Sequence, residues 1–502
     1  MRFWVCVSFC VVLLCAPAGA APDVSGDLPD AATLKARVDA LAAAAPPNYR
    51  ETIIAHSKDE PDSGWTTYHR FDNSRTVEGS GPTEREYGTF DGQDWRRDAN
   101  GVTVVNDDVP EEPRLLTIAR GDAPGTYVLS NLTKGGYGTR TVVDATTLRE
   151  LRVDEIDPIS TTTSITTTYG KFGGYTMPAT WTETVTNAGT TTTATYTRSD
   201  VVLGGVTADQ VAVPATPDVV TLPPGGKPVE LPSTFSDGSV LLHASVAGQS
   251  ALFVLDSGSQ VITVSPGLAK RANLKEVDSG VLSGSGTVNA KEVIIPVLQI
   301  GPLTMHDVIA VVTPVGTYGF NQDDFGLIGF DFLATLAVSI DYFHQHVTVQ
   351  SGWDFVGPKD AFPIDLRLGN FLPQTTAIIN GATADHIIVD TGASGTTLLL
   401  FQYFSKKHPE IFDDPGFQQI QFSGIGGHAE TQAFFFRTIK IGHLTLEKFN
   451  GYRTADSHSF NWDADGLFGS EFLSHFTVIF DFVHAKMYLR QNHDGGLLPV
   501  GR

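Results

Sequence analysis

The sequence predicts a mainly β protein with a single antiparallel region at its N-terminal end and a duplicated region after it. Three observations carry that prediction. From Asn48 to about Val211 short runs alternate apolar and polar residues between polar turns, the period of strands. Residues 212–228 are rich in Pro and Gly and separate that region from the rest. Beyond them a pattern recurs 140 positions on: Gly326-Leu327-Ile328-Gly329-Phe330-Asp331-Phe332-Leu333 returns as Gly466-Leu467-Phe468-Gly469-Ser470-Glu471-Phe472-Leu473. A repeat of this length indicates two copies of one fold.

The opening residues read as a secretory signal. Arg2 supplies a positive start, Phe3 to Leu14 an apolar core and Ala18-Gly19-Ala20 a small-residue cleavage site. The apolar run is shorter than the ~20 residues a membrane span needs, and no later segment reaches that length. The expectation is an exported protein, periplasmic or extracellular, with no transmembrane span and residues 1–20 removed. Cys6, Cys10 and Cys15 all lie in that segment. The remainder therefore has no disulfide, thiol nucleophile or thiolate metal site. Acylation of Cys15 is opposed by the bulky Leu14 before it.

With a formal net charge of −22 and no Lys/Arg cluster, neither nucleic acid nor an anionic membrane surface is an expected partner. The 502 residues leave room for about three domains beyond the signal. We divide them as 21–211, the connector 212–228, 229–362 and 363–502.

In 21–211, Asp30 caps a short helix with Leu34, Val38 and Leu41 on one face, stopped by Pro46-Pro47. Strands follow. The Thr runs at 161–168 and 190–197 are read as exposed strand faces, since Thr favours strands and aromatic residues punctuate the runs. A leading helix, then strands, then Phe90-Asp91-Gly92-x-x-Trp95-Arg96-x-Asp98-x-x-Gly101 resembles the outer-membrane lipoprotein carrier domains over about 28–205. That resemblance implies a half-closed antiparallel barrel over a helix, with an acyl or lipid ligand. A structural or prosegment-like role fits the same residues.

Each copy of the repeat is headed by an acidic turn leaving an apolar run: Ala251-Leu252-Phe253-Val254-Leu255-Asp256-Ser257-Gly258 and His386-Ile387-Ile388-Val389-Asp390-Thr391-Gly392. The runs predict buried strands, and Gly258 and Gly392 allow a sharp turn after the acid. The hydroxyls of Ser257 and Thr391 are placed to hydrogen-bond across a join between the copies. Two carboxylates in one site can hold a single proton between them, the arrangement that activates water. The aspartates are 134 apart and the later motifs 140 apart. The second copy thus carries six extra residues, assigned to the surface around Lys406–Glu410 and Asp413–Gly416. Phe332-Leu333 and Phe472-Leu473 are expected to begin short helices.

Asp-(Ser/Thr)-Gly, a Gly-x-Gly loop and an apolar-apolar-Gly triplet, in that order and twice, resemble the aspartic proteases over 229–502, the retropepsin type more than the longer pepsin lobes. The resemblance implies two closed β-barrel lobes in one chain, acting as a monomer on a peptide or protein substrate without metal or organic cofactor. It makes Asp256 and Asp390 the catalytic pair and Ser257, Gly258, Thr391 and Gly392 its bracing. Gly284, Ser285 and Gly286, with Gly424, Ile425, Gly426 and Gly427, become flaps over the substrate. The first copy has Ser259 where the second has Ala393, and the flaps lack the Tyr of a pepsin flap.

Other readings are weaker. His344 and His484 repeat, as do Asp341 and Asp481, but no His-Glu-x-x-His helix accompanies them, so they are read as strand or turn residues. No Gly-x-Ser-x-Gly elbow supports a Ser-His-Asp hydrolase. The rival that stays open is a non-catalytic envelope protein that binds peptide or lipid on the duplicated fold.

Overall fold

The computed structural model describes residues 28–42, 46–58, 60–106, 112–187, 190–283, 287–314, 324–412, 418–425, 427–454 and 464–491. The N-terminal part is a 13-stranded antiparallel sheet. Its strands follow one another by hairpins, and its first strand, Asn48–Ser57, is closed onto its last, Thr190–Leu203. The sheet stays open between its edge strands Thr103–Val105 and Leu115–Arg120. The helix Ala31–Ala42 is capped by the Asp30 carboxylate, which accepts from Thr33 N at 2.8 Å. It buries Leu34 and Val38 against Tyr127, Leu129 and Val143. The Thr runs lie on exposed faces, where Thr184 meets Thr193 and Thr186 meets Thr191 through their hydroxyls at 3.1 and 3.2 Å.

Two closed barrels follow. In the first lobe the ring runs through Ser239–Val246, Gln249–Leu255, Phe325–Ile328, Thr263–Val264, Leu303–Val312 and Thr287–Ile300. It closes by pairing Ala244–Val246 with Leu298–Ile300. The second ring runs through Gln374–Ile379, Ala382–Val389, Gly466–Phe468, Leu398–Leu400, Leu444–Thr454 and Gly427–Ile441. It closes by pairing Ala377–Ile379 with Ile439–Ile441. Closure leaves no unpaired edge inside either ring, and the apolar runs before the aspartates fill the barrel walls: Phe253, Leu255, Ile387 and Val389 are buried in one continuous core.

A six-stranded sheet joins the lobes, with Leu336–Asp341 and Phe476–Asp481 antiparallel at its centre. Ser339 pairs with Ile479, Ala337 with Asp481 and Asp341 with Thr477. Residues 140 apart therefore sit symmetrically about the Ser339–Ile479 pair, so the sequence repeat is also a spatial two-fold.

One local feature, the position of two short helical turns, differs from the sequence reading. Phe332-Leu333 and Phe472-Leu473 end their helical turns, which span Phe330–Leu333 and Ser470–Leu473. The connector 212–228 is packed against both neighbours. Thr216 exchanges hydrogen bonds with Thr103, Thr221 bridges Thr304, and Asp218 accepts from Trp353. Of the second lobe's extra residues, the 3-10 turn Pro409–Phe412 is seen, and 413–417 lie outside the described residues.

Candidate active site

Each aspartate ends a buried strand and is held by the strand across the barrel wall. Asp256 N donates to Ile328 O at 3.0 Å, and Asp390 N to Phe468 O at 2.9 Å. The apolar-apolar-Gly triplets therefore lie directly beneath the acids. Gly329 and Gly469 pass so close to the loops that an added methyl would fall 2.4 Å from Val261 O and 2.5 Å from Thr396 O.

The two turns are locked to one another. Ser257 N donates to Thr391 Oγ1 at 2.9 Å and Thr391 N to Ser257 Oγ at 3.0 Å. The hydroxyls then reach on across the join: Ser257 Oγ donates to Val389 O and Thr391 Oγ1 to Leu255 O, each at 2.6 Å. Both side chains are buried, so these reciprocal bonds are their means of satisfying every polar atom away from water.

The lock brings the carboxyls face to face. A methyl placed on Gly258 would lie 2.3 Å from Cγ of Asp390, and one on Gly392 would lie 2.4 Å from Cγ of Asp256. Each carboxyl thus rests on the other lobe's glycine, a position closed to any larger residue. Asp256 Oδ1 accepts from Gly258 N at 3.0 Å, and Asp390 Oδ1 accepts from Gly392 N at 2.8 Å and Ala393 N at 3.0 Å. Ser259, whose hydroxyl donates to Val261 O, turns away from the pair.

Burial raises both carboxyls above the ordinary carboxylate range. For Asp256 the neighbouring charge of Asp390 adds to burial and carries it well above. For Asp390 the backbone N–H groups of Gly392, Ala393 and Gly258 oppose burial. Backbone N–H groups of Gly258 and Ser259 likewise oppose burial at Asp256, so the raised values belong to the pair, which holds one proton between its members.

Alternation along a strand puts Val254 on the same face as Asp256, and Ile388 on the same face as Asp390. Around Val254 gather Leu241, Phe325 and Leu327; around Ile388 gather Leu372, Leu399, Phe401 and Leu467. These flanking apolar clusters were not singled out in the sequence, although the spacing of two from each aspartate was there to find them.

Of the expected flap residues, Gly424, Ile425 and Gly427 form the tip of the hairpin between Gln418–Gly424 and Gly427–Ile441, with Gly424 paired to Gly427. Gly427 has φ +145 and needs a glycine. Ile425 crosses to the other lobe and packs on the Val254–Leu327 cluster. Gly284, Ser285, Gly286 and Gly426 lie outside the described residues. His344 and His484 close equivalent turns, each ring Nδ1 2.9 Å from the carboxylate of Asp341 or Asp481.

The first barrel, with its acidic turn, is aspartyl-protease-like. Residues 242–332 match the family model described as aspartyl protease. No curated protein matches the chain. Among solved structures, a DUF1329 family protein from Desulfovibrio piger is similar at 13% identity and a TM-score of 0.28, covering 35% of this chain and 93% of that one. Basic 7S globulin from soybean is similar at 11% identity and a TM-score of 0.33, covering 55% of this chain and 99% of that one.

Proposed function

We propose that the chain is an exported, monomeric aspartic endopeptidase whose one active site is the Asp256–Asp390 pair. The observation that carries this reading is the reciprocal packing of each carboxyl on the other lobe's glycine, which sets two acids side by side where one shared proton is favoured.

In the proposed reaction, the ionised member of the Asp256–Asp390 pair takes a proton from a water as its oxygen attacks the peptide carbonyl carbon. The protonated member hydrogen-bonds the carbonyl oxygen as negative charge builds there. The tetrahedral adduct then collapses: the C–N bond breaks, the amine leaves with the proton taken from water, and the shared proton returns to the pair. The apolar clusters on either side of the acids favour a peptide bond flanked by apolar side chains, with Ile425 covering the first-lobe side. The N-terminal sheet would recruit substrate, restrain the lobes or hold an acyl chain.

Incubating the protein with a defined peptide library and identifying new termini by mass spectrometry tests the reading. Cleavage between apolar residues is the expected result. Peptide binding without new termini across pH 3–8 would instead favour the non-catalytic binding protein.

A further inference from the structure

A second pair of buried carboxyls lies away from the proposed active site, where the N-terminal sheet meets the first lobe. Asp98, in the turn after the strand Gln93–Arg97, is 8% exposed, and Asp331, on the helical turn Phe330–Leu333, is 0% exposed. Asp98 Oδ1 accepts from Asn100 N at 2.9 Å and Val102 N at 2.8 Å, which shapes the turn. The turn aims Asn100 into the lobe like one rung of a strand. Its Nδ2 donates to Ile309 O at 3.0 Å and to Asp331 Oδ2 at 2.9 Å, and its Oδ1 accepts from Ile309 N at 2.8 Å. Asp331 Oδ2 also accepts from Ile262 N at 3.3 Å. That accounts for one oxygen of each acid. The other two, Asp98 Oδ2 and Asp331 Oδ1, are buried with no donor, and Asn100 touches both carboxyls, its backbone N–H on Asp98 and its side-chain amide on Asp331.

We propose that Asp98 and Asp331 share one proton and so form a pH-dependent clamp that holds the N-terminal domain on the first lobe. Two ionised acids here would repel and leave both oxygens unsatisfied, whereas one proton between them satisfies both. Among the described residues, the one cation acting on Asp98 also serves another carboxylate. The charge facing Asp98 from the strand Arg85–Phe90 is Arg85, which is paired with Glu292 of the lobe. Arg97 is turned to Gly101 O and Glu86. Asp331 is faced by Asp98, Asn100 and the Ile262 amide. Burial raises both acids, Asp331 further through the charge of Asp98. Val102 and Val104 bury into the lobe core beside the pair and give the contact a part that does not vary with pH.

The sign follows from proton count. When the domains separate, both carboxyls return to water and ionise above about pH 4. The docked state holds one proton more, so docking weakens about tenfold per pH unit from there up to the pair's raised value. The effect reaches the proposed active site through one turn of chain: Phe330 N donates to Ser259 O at 2.9 Å, and Asp331 holds Ile262 just beyond.

The test is hydrogen exchange of the full chain from pH 4 to 8, read as protection factors at the Ile309 and Ile262 amides. It does not depend on peptide hydrolysis, so its failure and that of the proposed activity are separate. In Asp98→Asn the amide oxygen keeps both backbone bonds and the NH2 donates to Asp331 without a proton. We expect protection to fall about tenfold per pH unit in the wild type across the window and to stay level in Asp98→Asn. Asp331→Asn, which reverses the donor, should also be level and serves if the first variant does not fold. Level protection in the wild type, or an equal slope in a folded variant, overturns the proposal. So does loss of protection on adding a chelator at fixed pH, which would make the bridge a cation.

Discussion

Replacing Thr391 by Val removes one hydroxyl while nearly keeping the side chain's shape. Thr391 is fully buried, so no water takes the hydroxyl's place. Two partners are stranded: Ser257 N–H, which donates to Thr391 Oγ1 at 2.9 Å, and Leu255 C=O, which accepts from it at 2.6 Å. A buried group left without its hydrogen bond costs about 1–3 kcal/mol, so the pair together costs about 2–6 kcal/mol. The loss falls on the join between lobes, because both stranded groups belong to the first lobe and the hydroxyl to the second. Urea unfolding followed by tryptophan fluorescence and near-UV circular dichroism measures it. Thr391→Ser, which keeps the hydroxyl and loses a methyl, should cost only about 1 kcal/mol. If Thr391→Val is within 0.5 kcal/mol of wild type, or no worse than Thr391→Ser, the reciprocal lock does not hold the lobes together as argued.

Three further outcomes follow from the site. Gly392→Ala places a methyl 2.4 Å from Cγ of Asp256; peptide turnover should fall at least about a hundredfold while circular dichroism shows the β fold retained. Ile425→Gly uncovers the Val254–Leu327 cluster and should raise KM for apolar peptides several-fold, measured by steady-state kinetics. Asp256 and Asp390 have folded-state values raised by burial. Above the unfolded value of about 3.9 the folded state therefore binds more protons, and this stabilisation is lost as pH rises through the raised value. Denaturation midpoints from pH 4 upward should decline less steeply in Asp256→Asn than in wild type.

Much of the C-terminal architecture could be read from residue order. The 140-residue offset became a spatial two-fold because Ser339 and Ile479, equivalent in the repeat, pair at its axis. The acid-hydroxyl-glycine turns were legible because each requirement is local: an apolar strand, a short polar side chain, a residue without Cβ. What escaped was whatever depends on distant segments meeting. In the sequence Asp98 is one residue of the Phe90–Gly101 stretch and Asp331 one residue of the repeated motif. No periodicity links Asp98 to Asp331, yet Asn100, 231 positions before Asp331, ties them together. The connector likewise reads only as a boundary from its prolines and glycines, because composition does not encode the Thr103 and Thr304 partners that pin it.

The central claim is that one site is built from both lobes, and peptide turnover by wild type, Asp256→Asn and Asp390→Asn across pH 3–8 tests it most directly. The account predicts that each substitution alone removes turnover by at least about a hundredfold, with circular dichroism unchanged, because neither acid works without its partner. Turnover surviving in either folded variant would contradict it.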